Sequence, residues 1–232
     1  MKKFNLTTTI IVLILSTGVF NSCELDNYDG PDSAIFGTII DNETNSPIEQ
    51  DIIDGSQIEY IEHGFDNPTI QYMWFKTDGT FRNNLMFSGT YTITPVRGNF
   101  LPIESEEYTI NGETKVDFYV QPYIRIQDAL IEKIDDKIIA RFRIQQTVSD
   151  NILKIGLYAH QNPIASDRAY IVSSEKYIED TIDPNSLQTL EIDIAANSSD
   201  LKNGKQYFFR IGALIDVPEA KSNYSTVVRI EI

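Results

Sequence analysis

Cysteine and positive charge are both scarce in this chain. A single cysteine among 232 residues excludes an internal disulfide framework and a zinc site built from several cysteines. Only 19 Lys and Arg residues oppose 34 Asp and Glu residues, so the formal net charge is −15. A surface of this sign repels the phosphates of nucleic acids and anionic lipid headgroups, which excludes nucleic acid as a partner.

Common catalytic and nucleotide-binding motifs are also missing. The sequence contains no G-x-S-x-G, H-E-x-x-H, Walker or G-x-G-x-x-G pattern, and its two histidines, His63 and His160, lie in different halves. Two carboxylates would suffice for glycoside hydrolysis, but Glu104, Glu106 and Glu107 cluster in a chain rich in acidic residues, and we interpret them as solvated loop positions. We therefore expect a protein that is not an enzyme and has neither cofactor nor metal.

The longest apolar stretch, Leu6–Phe20, is too short to cross a membrane. Its fifteen residues would span about 22 Å as a helix, against a hydrocarbon core of about 30 Å. Together with the preceding Lys2 and Lys3 it is typical of an export signal. The segment ends in Asn21-Ser22-Cys23, which resembles the lipobox of bacterial lipoproteins. We expect residues 1–22 to be a signal peptide and Cys23 to carry the lipid; the alternative is an ordinary secretory signal with an incidental cysteine.

Acidic residues follow Cys23 directly, and residues 23–32 are interpreted as an acidic tether. Glu24, Asp26, Asp29 and Asp32 resemble the export tag of lipoproteins on the outer face of the Bacteroidota outer membrane, although a plain solvated linker would look the same. The resemblance implies an outer-membrane protein that faces outside the cell. Because the mature chain is acidic, acyl chains and not charge would hold it to the membrane.

Period-two hydrophobic runs separated by turn residues dominate the rest of the chain. Thr114–Val120 is the clearest, because Val116, Phe118 and Val120 alternate with Lys115, Asp117 and Tyr119, which predicts one buried and one solvated face. Many short strands of this kind, bounded by Asp-Gly, Ser-Gly and Asn-Gly pairs, favour an all-β fold of two tandem β-sandwiches. The other runs in the first half are Ala34–Ile40, Gln57–Ile61, Gln71–Lys76 and Thr90–Ile93.

The first half resembles carboxypeptidase-regulatory-like, transthyretin-like domains over residues 33–121. Phe36–Asp41 followed by Thr44–Ile48 is similar to their opening, and an Asp-Gly turn before an aromatic residue recurs in Asp78–Phe81. The Gly-x-Tyr strand of these domains matches Gly89–Tyr91. Such domains are accessory modules, so the resemblance implies a sandwich without catalysis.

The second half, residues 122–232, is predicted to be a fibronectin type III-like or immunoglobulin-like sandwich of seven strands. Its most informative segment, Leu201-x-x-Gly204-x-x-Tyr207, is similar to the tyrosine corner of such folds. Pro122 marks the boundary, because proline cannot donate to a central sheet ladder. The residues expected on inward faces are Ile138, Ala140, Phe142, Ile144; Leu153, Ile155, Leu157, Ala159; Leu190, Ile192, Ile194; Tyr207, Phe209, Ile211, Ala213, Ile215.

Taken together, these features resemble one whole family, the Bacteroidota lipoproteins known by domain of unknown function 3823. The likeness rests on the acidic opening Asp26–Asp29, the first module with Met73–Gly79, and the fibronectin-like second module. It implies a companion of outer-membrane glycan-uptake systems, working beside a TonB-dependent transporter and its lipoprotein lid.

Glycan binding would require outward-facing aromatic residues, and strand phase identifies one candidate surface. In the predicted strand Gln71–Lys76, one face carries Tyr72, Trp74 and Lys76. Because a lysine side chain is expected to be solvated, Tyr72 and Trp74 are expected to be exposed as well. His63, Phe65 and Asn67 on the preceding loop would form the rim. The alternative, which a lone tryptophan favours, is that Trp74 packs between the modules or beneath a loop.

These observations predict a non-catalytic, lipid-anchored surface protein that assists nutrient capture, with a glycan as the expected ligand. The alternative from another class is a structural or assembly partner of the transporter complex with no sugar binding of its own. An enzyme is the third candidate.

Overall fold

A computed structural model describes residues 29–232 of the chain, and this part is entirely β-structured apart from its loops and turns. No helix in this part is long and apolar enough to cross a membrane. The predicted signal peptide, the lipidation residue Cys23 and most of the tether lie outside the described residues. The strands are β1 Ser33–Asp41, β2 Gln57–Glu62, β3 Gln71–Trp74, β4 Thr80–Met86, β5 Gly89–Val96, β6 Glu106–Ile110, β7 Glu113–Lys115, β8 Phe118–Val120, β9 Ile124–Ile134, β10 Lys137–Gln146, β11 Ile152–His160, β12 Val172–Asp180, β13 Gln188–Asp193, β14 Gln206–Ile215, β15 Asn223–Tyr224 and β16 Val228–Glu231.

The N-terminal half, β1–β8, is a sandwich of two sheets. In one sheet β1 pairs antiparallel with β4 and parallel with β7 and β8, and the other sheet has the order β3-β2-β5-β6. The inward side chains form one apolar core that includes Ile35, Phe75, Phe81 and Tyr91. The Asp78-Gly79 turn adopts the expected left-handed backbone, with φ of 77° at Gly79.

Two expectations for the N-terminal half were wrong. Thr114–Val120 is not one strand but β7 and β8, interrupted at Val116 and Asp117, because the two short strands pair with different parts of β1. Val116 is nevertheless buried, as its phase indicates. Glu106 and Glu107 lie in an edge strand, β6, and not in a loop.

The C-terminal half, β9–β16, is the second sandwich. A three-stranded sheet of order β13-β10-β9 packs against a five-stranded sheet in which β11 and β14 are central. The predicted tyrosine corner is present: the Tyr207 hydroxyl donates to the carbonyl of Asp200 and accepts from the backbone N–H of Lys202, both at 2.8 Å. The inward alternation along β10 and β14 is confirmed, since all of the residues predicted to face inward there are buried.

The C-terminal half departs from the prediction at one strand face and in its strand count. Leu153 is only partly buried and Ile152 fills the core instead, because a bulge between Ile152 and Lys154 shifts the register against both neighbouring strands. The half has eight strands and not seven.

Buried polar side chains join the two halves, and residues 31–232 form one compact unit. Arg210 on β14 is 1% exposed and donates to the carbonyls of Gln50 and Ser225 and to the Glu49 carboxylate, at 2.9, 2.8 and 2.6 Å. Its guanidinium also lies 4.4 Å from the centre of the Tyr224 ring. In the described residues every buried side-chain nitrogen and oxygen has a hydrogen-bond partner.

A second set of contacts crosses between the halves around Asn99. The Asn99 side chain donates to the carbonyls of Glu49 and Ser222 and accepts from the Gln50 amide at 3.0 Å. The Asn223 amide donates in turn to the Asn99 carbonyl at 2.9 Å. Directional bonds of this kind fix the relative position of the two sandwiches, since any shift would leave buried polar groups unpaired.

Candidate functional site

Two aromatic side chains stand on the outer face of the β3-β2-β5-β6 sheet. Trp74 is 50% exposed and Tyr72 is 38% exposed, while Met73 between them points into the core. Trp74 therefore does not pack beneath a loop or between the modules, and the interpretation that a lone tryptophan favours was wrong. The strand ends at Trp74, two residues earlier than expected.

Cross-strand neighbours extend this surface toward the centre of the sheet. Trp74 lies opposite Gln57 of β2, which in turn lies opposite Val96 of β5. In the next row of the same face, Tyr72 lies opposite Glu59, and Glu59 lies opposite Thr94. Directly opposed residues on one face have Cβ atoms about 5 Å apart, so each aromatic side chain adjoins a polar group that can hydrogen-bond a ligand hydroxyl.

A groove of about 340 Å³ lies beside these two rows. Glu59, Thr94 and Val96 belong both to the aromatic face and to the groove. The opposite wall comes from the C-terminal half, through the loop Pro218–Ala220. The volume falls at the small end of the range for small-molecule sites, and apolar walls with a few polar groups are typical of such sites.

Two charged residues of opposite sign line the groove in an uncommon backbone conformation. Arg97 has φ of 50° and Glu219 has φ of 62°, both in the left-handed region that residues other than glycine seldom adopt. Such residues persist only where the surrounding structure holds them, and they cluster at binding sites. We call the aromatic face of Trp74, Tyr72 and Glu59, together with the adjoining groove that Glu59, Arg97 and Glu219 line, the aromatic groove site.

The three predicted rim residues, His63, Phe65 and Asn67, lie toward the far end of the same sheet. The His63 ring nitrogen Nε2 is 2.7 Å from the Thr92 hydroxyl, and its Nδ1 is 4.0 Å from a Glu107 oxygen. His63 lies one residue beyond the end of β2 and six positions along the chain from Gln57, the partner of Trp74, which corresponds to about 20 Å of extended chain. Phe65 is 64% exposed in the β2–β3 loop and lines a separate depression with Asn67 and Gln71. The structure therefore brings Trp74 and Tyr72 together but separates them from His63 and Phe65.

Sequence reasoning missed Glu59, Arg97 and Glu219. The alternation of Glu59 with Ile58 and Tyr60 places it on the outer face, so strand phase was a usable signal for that residue. Arg97 and Glu219 carry no such signal, because they come together only when the two halves dock. In the described part of the chain, His, Asp and Glu residues form no group of three or more that could hold a metal ion.

The fold and the site define a class of protein: tandem β-sandwiches docked into one unit, with an aromatic face beside the groove between them. Two family models match the chain, the N-terminal domain of the protein of unknown function DUF3823 at residues 33–121 and the domain of unknown function DUF3823_C at residues 124–229. The chain belongs to the DUF3823 family. No curated protein matches the sequence.

Solved structures of similar proteins include several from Bacteroides and Parabacteroides species. One is described as a "putative carbohydrate binding protein" from Bacteroides uniformis; it is 31% identical, the match covers 88% of this chain and 100% of that chain, and the TM-score is 0.82. A DUF3823 family protein from Parabacteroides merdae is 23% identical over 88% of this chain and 100% of that one, with a TM-score of 0.76. Another DUF3823 family protein, from B. uniformis, is 21% identical over 87% of this chain and 100% of that one, with a TM-score of 0.74. The last two support the fold alone.

Proposed function

We propose that this protein is a non-catalytic, lipid-anchored glycan-binding protein of the cell surface, and that the aromatic groove site holds the sugar. The observation that carries the proposal is the exposure of Trp74 and Tyr72 on one strand face beside hydrogen-bonding side chains. Aromatic faces pack against the C–H groups of sugar rings, and the burial of large aromatic surfaces provides much of the energy of such contacts. The 31% identical relative described as carbohydrate binding supports the same ligand class.

The shape of the surface favours an extended glycan over a monosaccharide. The outer face of β2 and β3 extends from Trp74 toward His63. Across the strands, the same face joins the groove at Glu59 and Thr94, and the loop Pro218–Ala220 forms the far wall of that groove. A chain of several sugar units can lie along this surface, with its rings on Trp74 and Tyr72 and its hydroxyls at Glu59 and Thr94.

In this proposal the lipid on Cys23 places the protein on the outer face of the outer membrane. There it assists a TonB-dependent transporter and its lipoprotein lid in capturing the glycan. The rigid connection of the two sandwiches suits this role, because the aromatic groove site is built from both halves and keeps its shape only while they stay docked.

Binding of the full chain to a panel of neutral oligosaccharides, namely glucan, mannan, xylan and galactan fragments, tests the proposal. Trp74→Ala should weaken binding at least about tenfold, which corresponds to about 1.4 kcal/mol. Tyr119→Ala is the matched control, since Tyr119 is an aromatic side chain of the same half that is 55% exposed on β8, in the other sheet. The control should bind as the wild type does.

Three outcomes would contradict the proposal. If the wild type binds none of the glycans but co-purifies with a TonB-dependent transporter, the protein is an assembly partner without a sugar site. If Trp74→Ala and Tyr119→Ala weaken glycan binding equally, the sugar lies elsewhere. Release of reducing ends from the same oligosaccharides would show that the protein is an enzyme.

A further inference from the structure

The end of the N-terminal half that lies away from the C-terminal half is where the chain enters the fold. Strand β1 begins there, with Ser33 opposite Met86 of β4. The Asp32 carboxylate accepts hydrogen bonds from the backbone N–H and the hydroxyl of Ser88, at 2.8 and 3.0 Å. These bonds hold the pKa of Asp32 below its usual value, and they fix the entry point of the chain beside the β4–β5 turn.

The same end exposes four large apolar side chains. Leu85 and Phe87 flank Met86 at the β4–β5 turn and are 74% and 44% exposed. Phe65 and Ile70 lie in the β2–β3 loop, at the same end of the sandwich because Glu62 of β2 pairs with Tyr91 near the start of β5. We call Leu85, Phe87, Phe65 and Ile70 the apolar tip. Exposed apolar residues grouped at one end of a domain typically mark an interaction surface.

The length of chain between Cys23 and the fold limits what this tip can contact. Nine residues, 24–32, separate Cys23 from Ser33, and the ten Cα-to-Cα steps between these two residues can span at most about 36 Å when fully extended. A lipid on Cys23 therefore keeps the apolar tip within that distance of the bilayer. The opposite end of the half is occupied by the contacts with the C-terminal half, so of its two ends the tip end is the one that can approach the membrane without displacing them.

We propose that the apolar tip rests on the membrane surface, so that Leu85 and Phe87 insert among the lipid headgroups. This inference rests on the lipidation of Cys23 in the proposed function. It directs the aromatic groove site away from the bilayer, because Trp74 lies at the end of its strand that is nearer the C-terminal half. It also gives Phe65 a role in lipid contact and not in sugar binding.

The charges at this end favour an uncharged lipid surface. Asp32, Glu62 and Asp66 are acidic, and the cation of Arg82 is paired with Glu113. Anionic headgroups would be repelled by this surface, whereas apolar insertion into a zwitterionic surface needs no counter-charge. Phosphatidylcholine vesicles are therefore the appropriate probe.

A label-quenching experiment on the full lipidated chain tests the inference. Because the lipid consumes the only natural thiol, a single introduced cysteine can be labelled selectively with a fluorophore. The test position is Phe87→Cys, with Leu85→Cys as a second test position in case the first variant does not fold. The control is Ile53→Cys, since Ile53 is 60% exposed in the loop between β1 and β2, at the opposite end of the same half.

Each protein is reconstituted into phosphatidylcholine vesicles that carry a lipid-borne quencher, and vesicle flotation measures anchoring separately. We expect all variants to float, and labels at positions 85 and 87 to lose severalfold more fluorescence than the label at position 53. Equal, weak quenching at all three positions in protein that floats would overturn the inference and leave the anchor intact. Wild-type protein that fails to float would overturn the inference together with the lipid anchor, and sugar binding at Trp74 would still be measurable.

Discussion

Arg210 is a fully buried cation at the contact between the two halves. It lies on β14, but it donates to Gln50 and Glu49 of the other half, and desolvation lowers its pKa in spite of the nearby Glu49 carboxylate. Desolvation also raises the pKa of Glu49, against the opposing effect of Arg210. Both shifts indicate that the pair is taken out of water by the docking of the two halves.

Arg210→Ala should destabilise the protein by about 3–5 kcal/mol, because removing one partner of a buried pair leaves Glu49 and the carbonyl groups of three residues, Gln50, Thr77 and Ser225, uncompensated. Chemical denaturation measures this loss. Arg143→Ala is the control: Arg143 contacts Asp128 at 2.5 Å, but both side chains are well exposed, so the expected change is below about 1 kcal/mol. A loss below about 1 kcal/mol for Arg210→Ala would show that the contacts across the interface do not stabilise the fold.

Asp41 makes folding sensitive to acid. Burial alone would raise its pKa, but Arg125, which donates to it at 2.6 and 2.9 Å, and the N–H of Glu43 outweigh burial and hold the pKa below the ordinary value of 3.8. The native state therefore binds this proton less readily than the unfolded state does. The contribution to stability is complete above the unfolded pKa and is lost as the pH falls through the folded pKa.

Wild type and Asp41→Asn should accordingly differ by a constant unfolding free energy above about pH 5, and the difference should shrink below pH 3.8. Urea denaturation between pH 3 and pH 7 measures it. Asp128→Asn, which removes an exposed pair, is the control and should change the unfolding free energy by less than about 1 kcal/mol. A difference for Asp41→Asn that grows in acid would refute the assigned direction.

At the scale of single elements, periodicity predicts strands well where the ladder is regular. Ile138 to Ile144 on β10 and Tyr207 to Ile215 on β14 face inward as their alternation indicates, because one face of each strand packs against the opposite sheet. Prediction failed at Leu153 because a bulge adds a residue that no alternation encodes. The prediction of one continuous strand over Thr114–Val120 also failed. The strand is interrupted at Val116, where the pairing moves from one part of β1 to another while the alternation of apolar residues continues.

The tyrosine corner should account for a measurable part of the stability of the C-terminal half. Tyr207→Phe removes both hydrogen bonds of the hydroxyl and leaves the Asp200 carbonyl and the Lys202 N–H without that partner, which should cost about 1–3 kcal/mol. Thermal or urea unfolding measures the effect. Tyr177→Phe, at a residue that is 63% exposed on β12, should change stability by less than about 0.5 kcal/mol. Equal effects of the two substitutions would contradict the assigned role.

At the scale of the whole molecule, the docking of the two sandwiches was not predictable from the sequence. Gln50, Asn99 and Asn223 are of polar residue types that are mostly exposed in proteins. They are nevertheless buried here, because they form hydrogen bonds with one another where the two halves meet. No local pattern distinguishes such residues from solvated ones. The aromatic face could be inferred from strand phase in β3, whereas the groove beside it could not, since its walls come from both halves.

The charge of the whole molecule should select among glycans. A net charge of −15, together with Glu59 and Glu219 against the single cation of Arg97 at the aromatic groove site, opposes the binding of uronate-rich or sulfated chains. We expect neutral oligosaccharides to bind with little dependence on salt, and acidic ones to bind weakly and to improve as salt screens the repulsion. Titrations at low and high ionic strength measure this. Tighter binding of an acidic glycan at low salt would refute the prediction.

The central claim is that sugar binds against Trp74, and this residue is the only tryptophan in the chain. Intrinsic tryptophan fluorescence of the full chain therefore reports on the proposed site without a label. When the tightest-binding neutral oligosaccharide of the panel is titrated, we predict a saturable change in emission with the same midpoint as the binding heat measured by calorimetry. Binding heat without any change in tryptophan emission would contradict the claim.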